Sequence, residues 1–178
     1  MTETNVTFFR NAVVAACAAL VSGVLLRPQI SSALVERGDQ RLYRGSASAA
    51  LPYYHRALAF APGDGVAIDR YAFSAILLRD RRSLQDAVAA TTSYLPAHPF
   101  DDRVRADRAF ALRLLGEDPR AERDFFIAGS SARDPRLLTL AGYSALRAGD
   151  RHRARTLWRD ALSLDRSFRP ASLALARH

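Results

Sequence analysis

The sequence predicts an all-α fold: a stack of helix hairpins preceded by one N-terminal hydrophobic helix. Three observations carry this expectation. A pattern of small and aromatic residues recurs at near-constant spacing through residues 31–166. Glycines and prolines stand where such hairpins must turn or stop. No window shows sustained period-two alternation, so no segment is patterned as a half-buried strand.

Residues 1–30 stand apart. Ala12 to Leu26 reads AVVAACAALVSGVLL, fifteen residues without a charge, bounded by Arg10 and by Arg27-Pro28. With Thr7 to Phe9 and Asn11 it approaches the ~20 residues that span a bilayer, provided Arg10 snorkels to the headgroups. The preferred reading is a single-pass membrane anchor. A cleaved signal peptide and a buried helix of the folded domain are the other two. Cleavage after Val21-Ser22-Gly23 is disfavoured because Val24-Leu25-Leu26 continues the apolar run. Val14-Ala15-Ala16-Cys17 mimics a lipoprotein cleavage box, but too short an apolar stretch precedes it, so Cys17 reads as a small apolar residue of the span. Orientation pulls two ways. Arg10 on one flank against Arg27, Arg37, Arg41 and Arg44 on the other favours a cytoplasm-facing domain. A short polar leader before a short apolar run is instead the pattern of a signal anchor that exports its downstream domain. Arg37 to Arg44 fall within a helix, which weakens their vote. The expectation is therefore an anchor in a bacterial-type inner membrane with the repeats outside the cytoplasm, the cytoplasm-facing arrangement being the alternative. The bacterial setting rests on the short anchor and on basic residues that are all Arg.

The remainder is periodic. Ala50-x-x-x-Tyr54-x-x-Ala57 recurs as Ala121-x-x-x-Phe125-x-x-Ala128 and as Ala154-x-x-x-Trp158-x-x-Ala161. A glycine precedes the first alanine by five residues each time, at Gly45, Gly116 and Gly149. Ala61-Pro62 is echoed 34 residues later by Leu95-Pro96. A weaker copy lies between them, with Leu84, Val88 and Thr91 in the matching places. Small residues at i and i+7 with a ring at i+4 share one helix face. The small residues admit a neighbouring helix, and the ring fills the space between. The glycines suit the left-handed residue that ends a helix, and the prolines cannot continue one.

These residues resemble the tetratricopeptide repeat, a helix–turn–helix unit of about 34 residues. The resemblance covers four repeats, 31–64, 65–101, 102–134 and 135–166, whose first helices carry a small residue at Gly38, Ala72, Ala109 and Gly142. Three residues are inserted around Pro99 to Asp101. Repeats three and four have Arg133 and Arg166 in place of the closing proline, and repeat two has Arg79 in place of the turn glycine. The resemblance implies a right-handed α-solenoid with Tyr54, Phe125 and Trp158 in its core and a concave surface lined by the first helices. Such a stack needs a cap, and residues 167–178 (SFRPASLALARH) read as a capping helix.

Composition limits the chemistry. The chain has 178 residues, 49% hydrophobic and 25% charged, enough to bury a core. One Cys excludes a disulfide framework, and the absence of Lys excludes Schiff-base chemistry and a Walker-type phosphate loop. No nucleophile elbow or zinc-binding motif is present, and the four His are scattered. His98 with Asp101 and Asp102 reads as a solvated loop rather than a metal site. The expectation is a protein that is not an enzyme and needs no cofactor or metal.

The repeat register assigns a groove. Val35, Asp39, Leu42 and Tyr43 should face it from the first repeat, and Asp69, Phe73, Ile76 and Leu77 from the second. The third should present Arg103, Ala106, Phe110 and Arg113, and the fourth Arg136, Thr139, Tyr143 and Arg147. Phe73, Phe110 and Tyr143 occupy one place in successive repeats, either as an aromatic ladder for a ligand or as packing between helices. With Tyr43 and the four arginines they suit a protein or peptide partner that is apolar with acidic residues. The groove's amino half should be neutral to acidic and its carboxyl half basic. Family members that grip chaperone C-termini use Lys and Asn; with no Lys, and Asn only at Asn5 and Asn11, that activity is not expected. Arg151, Arg153, Arg155 and Arg159, with His152, form a basic stripe on a second helix, and Arg79-Asp80-Arg81-Arg82 reads as a solvated turn. No recognition motif accompanies the charge, which argues against nucleic acid. The functional expectation is a membrane-anchored scaffold or assembly factor of a cell-envelope complex. The alternative is an accessory subunit whose Arg-rich surface binds anionic lipid or nucleic acid.

Overall fold

The computed structural model describes residues 26–178. Among these residues the chain is all helical: α1 (26–43), α2 (Ala47–Phe60), α3 (Gly65–Leu78), α4 (Arg81–Tyr94), α5 (Asp102–Leu115), α6 (Asp118–Ser131), α7 (Pro135–Arg147), α8 (Arg151–Leu164) and α9 (Arg169–Arg177). Residues 12–25 of the expected anchor lie outside this range. No helix among the described residues is long and apolar enough to cross a membrane.

Local chemistry sets the helix ends. Ser46, Asp64, Asp80, Asp101, Asp134 and Asp150 each accept a backbone N–H from the first turn of the next helix. Glu117 and Phe168 make no such bond, and there Pro119 and Pro170 in the first turn remove a donor that would otherwise lack a partner. Pro62 and Pro96 come just after the last residues of α2 and α4. Tight turns reverse the chain, so from α2 onward each helix packs against the next, while α3 also touches α5 and α7 touches α9. The first helices thereby form one layer and the second helices another.

The core follows the repeat pattern. Tyr54, Phe125 and Trp158 are fully buried, as are the alanines on either side of each. In α4 the same places hold Leu84, Val88 and Thr91, whose hydroxyl is satisfied by the Ala87 carbonyl at 2.8 Å. The rings occupy gaps left by glycine: a Cβ on Gly38 would collide with the ring of Tyr54, and one on Gly142 with the indole of Trp158. Trp158 Nε1–H donates to the Thr139 carbonyl at 3.2 Å, so the ring leaves no buried donor unpaired.

A polar chain crosses the first three repeats. Tyr54 donates its hydroxyl to Asp39 Oδ1 at 2.7 Å. Arg70 Nε lies 3.0 Å from the same oxygen, too poorly aimed for a hydrogen bond, and Arg70 Nη1 reaches Asp69 Oδ2 at 3.3 Å. Arg103 closes on the other oxygen of Asp69. Asp107 stands beside Asp69, and burial first, then the charge of Asp69, pushes its carboxyl up to about 8. The raised value favours the neutral form of the Asp107 carboxyl at neutral pH.

Replacing Trp158 by Ala should cost about 3–5 kcal/mol, and Gly142→Ala about 1–3 kcal/mol by overpacking the same gap. Denaturant unfolding measures both, and a Trp158 emission maximum typical of a solvated indole would refute the packing. The Asp107 carboxyl adds a pH dependence. Unfolded, it ionises near the usual ~4; folded, it holds its proton to about 8. Its contribution is complete below the unfolded value and is lost as pH rises through that window. Thermal melts across the window should show Tm falling with pH, and Asp107→Asn should flatten the fall.

Candidate functional site

The layer of first helices presents a repeated apolar motif. On α3, Phe73 and Leu77 lie one turn apart and are 44% and 53% exposed. On α5, Phe110 and Leu114 hold the equivalent places, and on α7 they are held by Tyr143 and Arg147. Phe110 is half-buried because its ring stands edge-on against Phe125 with centroids 4.9 Å apart. Tyr143 meets Trp158 in the same manner at 5.4 Å. Both rings therefore pack in part against the core and stay in part open to solvent.

At the carboxyl ends of α3, α5 and α7, a cavity of about 500 Å3 is lined by Ile76, Arg79, Phe110, Arg113, Leu114 and Arg147. Arg147 Nε lies 3.2 Å from Asp118 Oδ2. Arg79 and Arg113 form no ion pair among the described residues. Burial, and then the neighbouring charge of Arg147, depress the basicity of Arg113; Asp118 and Tyr143 oppose the shift. Arg79 is the left-handed residue after α3, with φ 55°, in the place that Gly116 and Gly149 hold in other repeats. Reading Arg79 as part of a solvated turn missed its place on the cavity rim.

The other residues expected in the groove divide between exposed and buried positions. Arg103 is committed to Asp69, and Arg136 grips Asp134, its own helix cap, through Nε and Nη2. Tyr43, at the end of α1, is 94% exposed. Val35 and Thr139 do not face the groove but are buried, Val35 in the core and Thr139 with its hydroxyl returned to the Pro135 carbonyl at 2.7 Å. Asp69 is also buried, between Arg70 and Arg103.

Charge differs between the amino and carboxyl ends of the first helices. A second cavity, of about 320 Å3, lies toward the amino ends of α3 and α5, where Asp64, Asp69 and Asp101 meet Tyr94, Arg70 and Arg103. His98 stacks on Tyr94 at 3.9 Å, and Asp101 takes the Tyr94 hydroxyl at 3.1 Å. Among the described residues no group of three or more side chains could hold a metal ion. On the outer layer Arg151, Arg155 and Arg159 are exposed, whereas Arg153 turns back to Glu122 at 2.9 Å and lies over the Phe126 ring.

No protein-family model and no curated protein matches the sequence. Solved structures do match the fold. MamA superposes with a TM-score of 0.70 at 13% identity, over 79% of this chain and 81% of that one. The pilF protein of Pseudomonas aeruginosa gives 0.65 at 19% identity, over 85% of this chain and 68% of that one. YrrB, described as a tetratricopeptide repeat protein with an unusual peptide-binding site, gives 0.70 at 15% identity, over 96% of this chain and 87% of that one. At these identities the likeness establishes the fold, and the chain is an all-α solenoid of the tetratricopeptide type.

Proposed function

We propose that this chain is a binding scaffold that holds a protein or peptide segment against the wall of first helices, and that Ala12 to Leu26 anchors it in a membrane as an assembly or accessory factor of an envelope complex. One observation carries the binding role. Two successive first helices present the same apolar pair to the groove, Phe73 with Leu77 and the half-buried Phe110 with Leu114. Large apolar side chains left in register on neighbouring elements mark a surface that gains by being covered. The solenoid fold supports the reading, since stacked repeats create extended recognition walls. The peptide-binding site attributed to YrrB is a parallel on the same fold. The anchor rests on the uninterrupted apolar run and its poor cleavage site.

A second reading has its own observation: Arg151, Arg155 and Arg159 line α8 with no ion pair among the described residues. Such a stripe would attract an anionic lipid surface, with binding that falls steeply with salt.

Full-length protein purified from membranes with its bound partners provides the test. Phe73→Ala with Leu77→Ser should release the partner, each lost anchor costing about 2 kcal/mol if it is a hot spot, while the fold stays intact because both side chains are exposed. Phe110→Ala should act likewise but also lower stability, since its ring supports Phe125. Arg155→Glu on the outer layer should leave the partner bound. Loss of binding in Arg155→Glu alone would transfer function to the basic face. An N-terminus found by sequencing to begin after Gly23 would contradict the anchor, and reporter fusions at His178 would fix its orientation.

A further inference from the structure

We infer that the side of α1 turned away from α3, carrying Leu26 and Ile30 and then Arg37, Arg41 and Arg44, lies on a bilayer surface and binds the headgroups of anionic phospholipids. This contact rests on the anchor proposed above, which brings α1 to a membrane. It adds a second, electrostatic hold and assigns it to named residues.

Helical geometry separates the two sides of α1. Ser31, Val35 and Gly38 are buried, and Asp39 faces Tyr54 on α2 and Arg70 on α3. At 100° per residue, Ile30, Arg37 and Arg41 fall within about 20° of the direction opposite Asp39, and Leu26 within about 40°. Arg44 follows in the turn after the helix, and all five side chains are exposed.

The matching places in later repeats are covered. Those equivalent to Arg37 are Tyr71, Arg108 and Ala141, and those equivalent to Arg41 are Ala75, Leu112 and Ala145. All but Arg108 are buried, and Arg108 is bound to Asp124 through two hydrogen bonds. Among the described residues no helix covers this side of α1. A solenoid end that only has to be wetted can carry charges of either sign. Here the sign is single. Of the acids on α1, Asp39 is turned inward, and Glu36 lies about 100° round the axis from Arg37. None of Arg27, Arg37, Arg41 and Arg44 forms an ion pair among the described residues.

The neighbouring sequence selects the kind of anionic partner. The apolar run Ala12 to Leu26 ends on the first residue of α1. Leu26 and Ile30, 54% and 37% exposed, carry the apolar character one turn further along the same side, and the arginines come after them. Apolar and then basic, along a helix of about 27 Å, is the order met in passing from hydrocarbon to headgroups. Arg27 sits where a guanidinium can snorkel to that boundary. Arginines tethered beside an anchor stay within reach of the surface potential of an anionic leaflet. A second copy docked two-fold on this side would instead set like charges against each other.

The test uses the full chain with Cys17→Ala, carrying an environment-sensitive dye through Ala33→Cys and reconstituted in vesicles. The vesicles are phosphatidylcholine alone or mixed with phosphatidylglycerol, each with some nitroxide-headgroup lipid as quencher. The dye should be quenched in the mixed vesicles, and salt should relieve the quenching. Arg37→Gln, Arg41→Gln and Arg44→Gln together should lower the docked-to-free ratio by about a hundred-fold, at roughly five-fold per charge. Circular dichroism melts should not change, since all three side chains are exposed. The same dye on the outer layer, through Ser163→Cys, should stay unquenched. An unquenched Ala33→Cys dye on protein that resists alkaline carbonate would overturn the lipid face and leave the anchor standing. Equal quenching in both vesicle types, unaltered by the three substitutions, would remove the arginines from the contact. Quenching at Ser163→Cys alone would overturn the assignment to α1 and move the lipid contact to α8. Self-quenching between labelled copies in neutral vesicles would give this side to a second copy. Release by alkaline carbonate of protein whose Ala33→Cys dye had been quenched would overturn the anchor and leave the lipid face standing.

Discussion

Closure of the helix pairs depends on large rings driven into gaps where the facing helix has no side chain. Tyr54 fills the space at Gly38, and Trp158 the space at Gly142. The same contact positions the groove. In each first helix the residue after the small one is turned about 100° around the axis, away from the pair and toward the open layer. These neighbours are Asp39, Phe73, Phe110 and Tyr143. Ladder and core are therefore one register read at adjacent positions, and the edge-on contacts of Phe110 with Phe125 and of Tyr143 with Trp158 tie them together. A change that shifts the packing shifts the exposed apolar wall with it.

Apolar interlock alone would let the repeats slide, and ion pairs between repeats, some with a buried carboxylate, restrict that freedom. The chain Tyr54–Asp39–Arg70–Asp69–Arg103 joins three repeats, each acid satisfied from a neighbouring helix. Further along, Arg108 grips Asp124 through two bonds of 2.7 and 2.8 Å within repeat three, and Arg153 joins repeats three and four through Glu122. Removing charges from water offsets much of what these pairs gain by attraction, so their contribution lies more in fixing which helices meet than in net stability.

The legible part of the sequence was the part governed by periodicity. Ala–ring–Ala spacing located the second helices, and Gly38, Ala72, Ala109 and Gly142 located the contacts opposite. The ladder of Phe73, Phe110 and Tyr143 came from the same register, and Phe110, Arg113 and Arg147 do come together in one cavity. Individual orientations were harder to read, because a helical face drifts along its length. Val35 and Thr139, a full turn from ladder residues, rotate into contact with their neighbours. The Asp69–Asp107 pair was hidden by the insertion near Pro99, which breaks the fixed period between repeats two and three. Arg79 was hidden by its turn: nothing in a run of four charged residues marks the one whose backbone aims it at a cavity.

The two charged edges of the wall have different origins. Because every other helix runs in the same direction, the amino ends of α3 and α5 lie on one side and their carboxyl ends on the other. Acidic residues gather at the amino edge for a local reason. Asp64 accepts the backbone N–H groups of Val66 and Ala67 and the hydroxyl of Ser31, and Asp101 accepts Val104 N–H and the Tyr94 hydroxyl. Asp69 is held by Arg70 and Arg103. The acceptor capacity of that edge is spent on folding the helices that carry it. Arginines at the carboxyl edge complement the helix dipole, but a guanidinium has five donors and diffuse carbonyl charge satisfies few of them. Among the described residues only Arg147 of these finds a carboxylate there. Arg79 and Arg113 line the cavity beside the exposed Leu114. The fold thus uses the two kinds of charge differently: the acids terminate helices, and the arginines stand beside the apolar side chains of the wall.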